Sequence, residues 1–155
     1  MSDTILTANF SNYSSDTLNR DEYGWMLESG VSGITQQPPD TLVPLSGMGT
    51  LEYAQDAVGP VADGDAYIFC CWNTPSGSRF GLKLYAPVQV FGIGTRPYWY
   101  YMYDNDPYNP TIDWIKIASP SEQFTWPTST GYNIQASPVS NHATLTVSVM
   151  LQPLS

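Results

Sequence analysis

The residues that could do chemistry in this chain are few and scattered. One histidine, His142, opens the most strand-like segment of the sequence and has no nucleophile at a recognisable spacing around it. No nucleophile elbow, metalloprotease pair, phosphate loop or dinucleotide glycine fingerprint is present, and the reading is a protein that is not an enzyme and needs no cofactor. Asp63-Gly64-Asp65 and Asp104-Asn105-Asp106 carry oxygen ligands of the kind calcium takes. Neither continues into the twelve-residue loop that would hold the ion, so both are read as turns and no metal is expected. Cys70 and Cys71 are adjacent, where a mutual bridge is strained, and are read as thiols on opposite faces of one strand.

Aromatic residues form the one constellation that rises above this background. Ten of the 21 lie between Tyr98 and Tyr132, including the run Tyr98, Trp99, Tyr100, Tyr101, Tyr103. A strand buried on one face alternates large apolar with polar residues. Four consecutive rings instead place bulk on both faces, so the outer face is expected to carry an aromatic patch. Tyr and Trp with one apolar and one hydrogen-bonding end suit the boundary of a bilayer, the face of a sugar, or a protein interface. Three chemistries therefore remain open: membrane-lipid recognition, carbohydrate binding as a lectin, and self-assembly through the patch.

The elements that must position these residues are strands. Candidate strands run over Thr4 to Phe10, Tyr23 to Leu27, Thr50 to Gln55, Ala66 to Trp72, Phe80 to Tyr85, Val88 to Phe91, Tyr98 to Asp104, Ile112 to Ala118 and His142 to Leu151. The last alternates Ala143, Leu145, Val147 and Val149 with Thr144, Thr146 and Ser148. Asp63-Gly64, Pro75-Ser76-Gly77-Ser78 and Pro107-Tyr108-Asn109-Pro110 supply turns between strands. The expected fold is all-β: a compact antiparallel β-sandwich of roughly nine short strands in a single domain, 1–155. Helix is confined to one or two short turns, near Ser15 to Asn19 or Ser119 to Phe124.

Composition narrows the partners. The chain has 155 residues and is 12% charged, with a net charge of -9, about half the usual share of charged residues. Residues 1 to 65 hold ten acids and one base, Arg20, whereas residues 66 to 155 hold four of each. Such a balance argues against nucleic acid and against simple electrostatic docking on anionic lipid. Met-Ser-Asp-Thr-Ile-Leu-Thr has no basic region followed by an apolar run, so the expectation is a protein made soluble without a secretory signal, in the cytoplasm or released by another route.

A family resemblance adds to this reading. Gly24-Trp25-Met26-Leu27-Glu28-Ser29-Gly30 precedes Pro38-Pro39-Asp40-Thr41-Leu42 and Pro44, then Gly49-Thr50-Leu51-Glu52-Tyr53 and Gly59-Pro60-Val61-Ala62-Asp63-Gly64. An Ile68-Phe69 strand follows, ending in Trp72-Asn73-Thr74-Pro75 with Gly77-Ser78 behind it. This order resembles aegerolysins and their bacterial crystal-toxin relatives. The stretch from Gly59 through Gly81-Leu82-Lys83-Leu84-Tyr85-Ala86-Pro87 into the Tyr/Trp run is also similar to actinoporins. Over residues 20 to 105 the resemblance implies a lipid-recognising β-sandwich acting at a target membrane surface. Its headgroup site, of phosphocholine type, would fall on Tyr85, Tyr98, Trp99, Tyr100, Tyr101 and Tyr103, with Arg79, Lys83 or Arg96 on the phosphate. Actinoporins perforate with a long N-terminal amphipathic helix, but here the first strand is expected from Thr4. The aegerolysin arrangement, a sphingolipid binder working with a larger pore-forming partner, is the version expected, and a homo-oligomer is the other partner considered.

Overall fold

A computed structural model of the chain describes residues 4–28, 34–55, 66–87, 96–106, 109–141 and 144–154. The elements run in chain order as β1 (Thr4–Asn12), β2 (Leu18–Glu28), β3 (Ile34–Gln36), β4 (Thr41–Leu42), β5 (Gly47–Gln55) and β6 (Ala66–Asn73). They continue as β7 (Arg79–Ala86), β8 (Tyr98–Asp104), β9 (Ile115–Lys116), β10 (Phe124–Thr125), β11 (Tyr132–Ser140) and β12 (Thr144–Pro153). One sheet has the order β10-β11-β12-β1-β5-β3 and the other β4-β2-β6-β7-β8-β9. The all-β sandwich expected from the sequence is what forms, with twelve strands among the described residues in place of nine.

Two details depart from expectation. The sandwich is not wholly antiparallel, because β1 and β12 pair in parallel over eight residue pairs, from Ile5 opposite Thr144 to Asn12 opposite Leu151. Among the described residues the helical turn is a single 3-10 turn at Thr128–Thr130. Around Ser15 the chain instead bends as it passes from β1 of one sheet to β2 of the other. The Asn12 amide Nδ2 lies 2.8 Å from the Asp16 carbonyl, and the Asn12 Oδ1 accepts from the Ser14 amide at 3.0 Å. The strand expected over Val88 to Phe91, His142 and Asp63-Gly64-Asp65 lie outside the described residues.

Alternation builds the core. Leu145, Val147, Val149 and Leu151 of β12, Leu6, Ala8 and Phe10 of β1, and Leu51 and Tyr53 of β5 are buried. They meet Ile68, Cys70 and Trp72 of β6, Phe80, Leu82 and Leu84 of β7, and Trp99 of β8 in one cluster. The largest rings interlock edge to face, Phe10 on Trp72 at 5.5 Å and Phe80 on Trp126 at 6.2 Å between centroids, the geometry favoured by ring quadrupoles. No helix among the described residues is long and apolar enough to cross a membrane.

Candidate functional site: a tyrosine and lysine face

Register decides which members of the aromatic run share a face. Tyr67, Tyr85 and Tyr98 stand opposite one another across β6, β7 and β8, and Phe69, Lys83, Tyr100 and Lys116 form the next row across β6 to β9. The period of two along each strand turns all seven to the side away from the other sheet. The Tyr85 and Tyr98 rings lie 5.1 Å apart, Tyr98 and Tyr100 5.7 Å, and Tyr67 and Phe69 6.2 Å. Trp114, from the segment before β9, packs edge-on against Phe69 at 5.6 Å. All of these rings are partly exposed.

The two lysines lie over the rings. Lys83 Nζ is 4.5 Å from the centre of the Tyr67 ring and 5.1 Å from that of Tyr100, and Lys116 Nζ is 4.0 Å from that of Tyr98. Each is a cation-π contact, worth about 0.5–1 kcal/mol at an exposed site. Partial desolvation lowers the pKa of Lys83 below the ordinary lysine value. Arg96 is exposed two residues ahead of β8. In a chain of net charge -9, these three cations make no ion pair with any described residue. The remaining two bases are committed: Arg20 pairs with Asp40 at 2.9 Å, and Arg79 pairs with Asp21 at 2.6 Å.

Of the nine residues expected at a headgroup site, the fold brings together Tyr85, Tyr98, Tyr100 and Lys83, leaves Arg96 exposed just ahead of β8, and takes Trp99, Tyr101, Tyr103 and Arg79 out of the cluster. Trp99 alternates inward, is fully buried, and donates its indole N–H to the Pro120 carbonyl at 3.1 Å. Tyr101 also faces the core, stacked on Phe124 at 3.9 Å and edge-on to Trp126 at 6.0 Å. Tyr103 packs beside them, its hydroxyl donating to the Ser129 carbonyl at 2.9 Å. Arg79 cannot meet a phosphate: only 1% exposed, it is held by Asp21, by the Asn109 carbonyl at 2.9 Å and by Asp104 at 3.6 Å. A buried guanidinium needs such partners to offset lost hydration. Asn109 and Trp114 thus bring the segment between β8 and β9 over this half of the face, where Cys71, Gly81 and Met102 lie in one buried row.

Tyr67, Phe69, Trp114 and Lys116 were not expected. Tyr67 and Phe69 carry a signal, since they occupy the parity opposite to Ile68, Cys70 and Trp72 in β6. Lys116 carries none, because its place depends on a two-residue pairing with β8.

Among the described residues no group of three or more His, Cys, Asp or Glu side chains is placed to hold a metal. Asp104 closes a turn, accepting from the Asp106 amide at 2.8 Å and from the Asn109 side chain at 3.0 Å. Cys70 and Cys71 are free and buried, on opposite faces of β6, and burial raises both thiol pKa values. Against protein-family models and against curated proteins, the chain finds no match.

Proposed function

We propose that the tyrosine and lysine face binds the headgroup layer of a lipid membrane, and that the protein is the membrane-binding component of a cytolytic or insecticidal system with a separate pore-forming partner. The observation that carries the reading is the in-register row Phe69, Lys83, Tyr100, Lys116 beside Tyr67, Tyr85 and Tyr98. Rings with polar tips suit the interfacial layer, and the ammonium groups among them suit phosphate. The resemblance to aegerolysins and actinoporins supports the same reading. One refinement follows from the lysines. They cover faces of Tyr67, Tyr98 and Tyr100, the positions a choline cation would otherwise take, so the headgroup engages through its phosphate.

The test is co-sedimentation with liposomes of phosphatidylcholine, of sphingomyelin or ceramide phosphoethanolamine with cholesterol, and of anionic lipid, at low and high salt. Headgroup-selective pelleting is expected. Replacing Lys83 and Lys116 with Ala should weaken it roughly thirtyfold without loss of cooperative melting, because each lysine contributes on the order of 1 kcal/mol near a lipid surface. Inorganic phosphate should compete and choline chloride should not. Binding should also fall on the alkaline side earlier than for a lysine of ordinary pKa, about 10.4, because the Lys83 pKa is lowered. Absence of pelleting with every composition would sink the reading.

A second reading has its own observation. An open groove of about 570 Å³ lies on the other sheet, lined by Thr35, Gln36, Gln37, Thr50 and Glu52 with Met48 and Pro39 as apolar walls. Glu52 is oriented by hydroxyl donors, Thr7 at 3.1 Å and Thr35 at 2.9 Å. A fixed carboxylate among neutral amides and hydroxyls suits a neutral sugar, the lectin alternative. Inhibition of cell binding by free sugar, lost on Glu52→Gln, would favour it over lipid.

A further inference from the structure

Among the described residues, apolar exposure is concentrated at one end. Six of the eight large apolar side chains exposed among the described residues are Tyr13, Val43, Leu45, Met48, Met150 and Leu154. The ladders bring them together: Ser11 stands between Met48 on β5 and Met150 on β12. The Tyr13 amide donates to the Leu151 carbonyl at 2.8 Å, and the Leu45 amide to the Ser14 carbonyl at 2.9 Å. This end lies where β1 and β12 finish, at the opposite end of the sandwich from Tyr67, Tyr85 and Tyr98.

The loops that carry these side chains are fixed. The buried Asn12 amide Nδ2 lies 2.8, 3.1 and 3.2 Å from the carbonyls of Asp16, Leu42 and Val43. That one side chain ties the loop after β1 to the loop before β5. Leu45 is the one non-glycine among the described residues with positive φ, 71°, which costs a leucine about 1–2 kcal/mol, and its side chain is 67% exposed. Strain of this kind persists where the side chain has a task.

Charge identifies the occupant. Residues 5–15, 41–51 and 144–154 contain no Asp, Glu, Lys, Arg or His, in a chain of net charge -9. The bordering acids are engaged, Asp16 by the Tyr132 hydroxyl at 2.6 Å and Asp40 by Arg20. Two copies of so acidic a protein repel one another except where charge is absent. A bilayer would call for Trp and basic anchors. This end has no tryptophan and no basic residue, and its one exposed ring, Tyr13, stands among leucine, valine and methionine side chains within an uncharged surround, which suits a protein contact better. We propose that the Leu45 end is a self-association surface that joins two copies in an isologous dimer, leaving the tyrosine and lysine faces free.

Sedimentation velocity on the full chain tests this. The wild type should dimerise, and its association should strengthen about threefold or more from 50 to 500 mM NaCl as like-charge repulsion is screened. Leu45→Gly removes the apolar side chain and relieves the positive φ, so it should weaken association about tenfold, as for a central interface residue, with an unchanged or higher melting temperature. Met48→Asp should leave a monomer. A wild type that stays monomeric near 1 mM, too weak for a specific contact, would overturn the proposal. So would association that weakens with salt, which would mark acidic surface meeting the lysines of another copy, or a dimer indifferent to both substitutions. A monomeric wild type whose liposome pelleting is lost in Leu45→Gly would assign this end to a bilayer instead.

Discussion

Tyr98, Trp99 and Tyr100 are neighbours in the chain with different tasks, set by the parity of β8. Trp99 fills the core and Tyr98 and Tyr100 flank the lysines. Trp99→Ala should therefore cost about 3–5 kcal/mol, the range for a buried Trp or Phe, and should reduce liposome binding only through loss of folded protein. Tyr98→Ala with Tyr100→Ala should retain a cooperative transition and lose binding directly. Thermal melts beside liposome pelleting separate the two. The sequence contains the aromatic run but no label for which parity faces inward. The burial of Arg79 was hidden for a related reason, since its partner Asp21 lies 58 residues away.

At the scale of elements, the pairing of β6 with β7 leaves no tolerance at one position. A Cβ on Gly81 would stand 2.4 Å from Cys71 Sγ, in its cross-strand partner. Gly81→Ala should destabilise by about 1–3 kcal/mol, as overpacking does. Adding Cys71→Ala should recover part of that loss, a coupling measurable by denaturant unfolding of both single variants and the double variant. The strands most legible in the sequence were those with strict alternation. In β12, Leu145, Val147 and Val149 are buried as the period of two requires. β11 alternates in the same way, Tyr132, Ile134 and Ala136 facing the core, but Pro138 within it and the Ser/Thr/Gly turn ahead of it mask the strand signal in the sequence. Ile112 to Ala118 has strand composition, yet only Ile115–Lys116 pairs. Trp114 packs on Phe69, and this draws the preceding residues over the face of the sheet. A tertiary contact outcompeted a local preference there.

For the molecule as a whole, the sandwich presents a cationic aromatic face toward one end and an uncharged apolar surface at the other, while its net charge is -9. That division was only half legible: the acid-rich N-terminal portion and the aromatic run stand in the sequence, but the apolar end is assembled from three distant segments. The parallel pairing of β1 with β12, eight residue pairs in register, carries a mechanical consequence. Tension applied through the starting residue of β1 and the final residue of β12 pulls these neighbouring strands past each other in shear. Their hydrogen bonds then bear load together and must rupture as a unit, whereas an antiparallel hairpin pulled from its open end unzips one pair at a time. In single-molecule stretching between points attached at Thr4 and Pro153, the domain should yield in one abrupt high-force step. Pulling instead between Tyr132 and Pro153, at the adjoining ends of the antiparallel β11 and β12, should open it gradually at lower force.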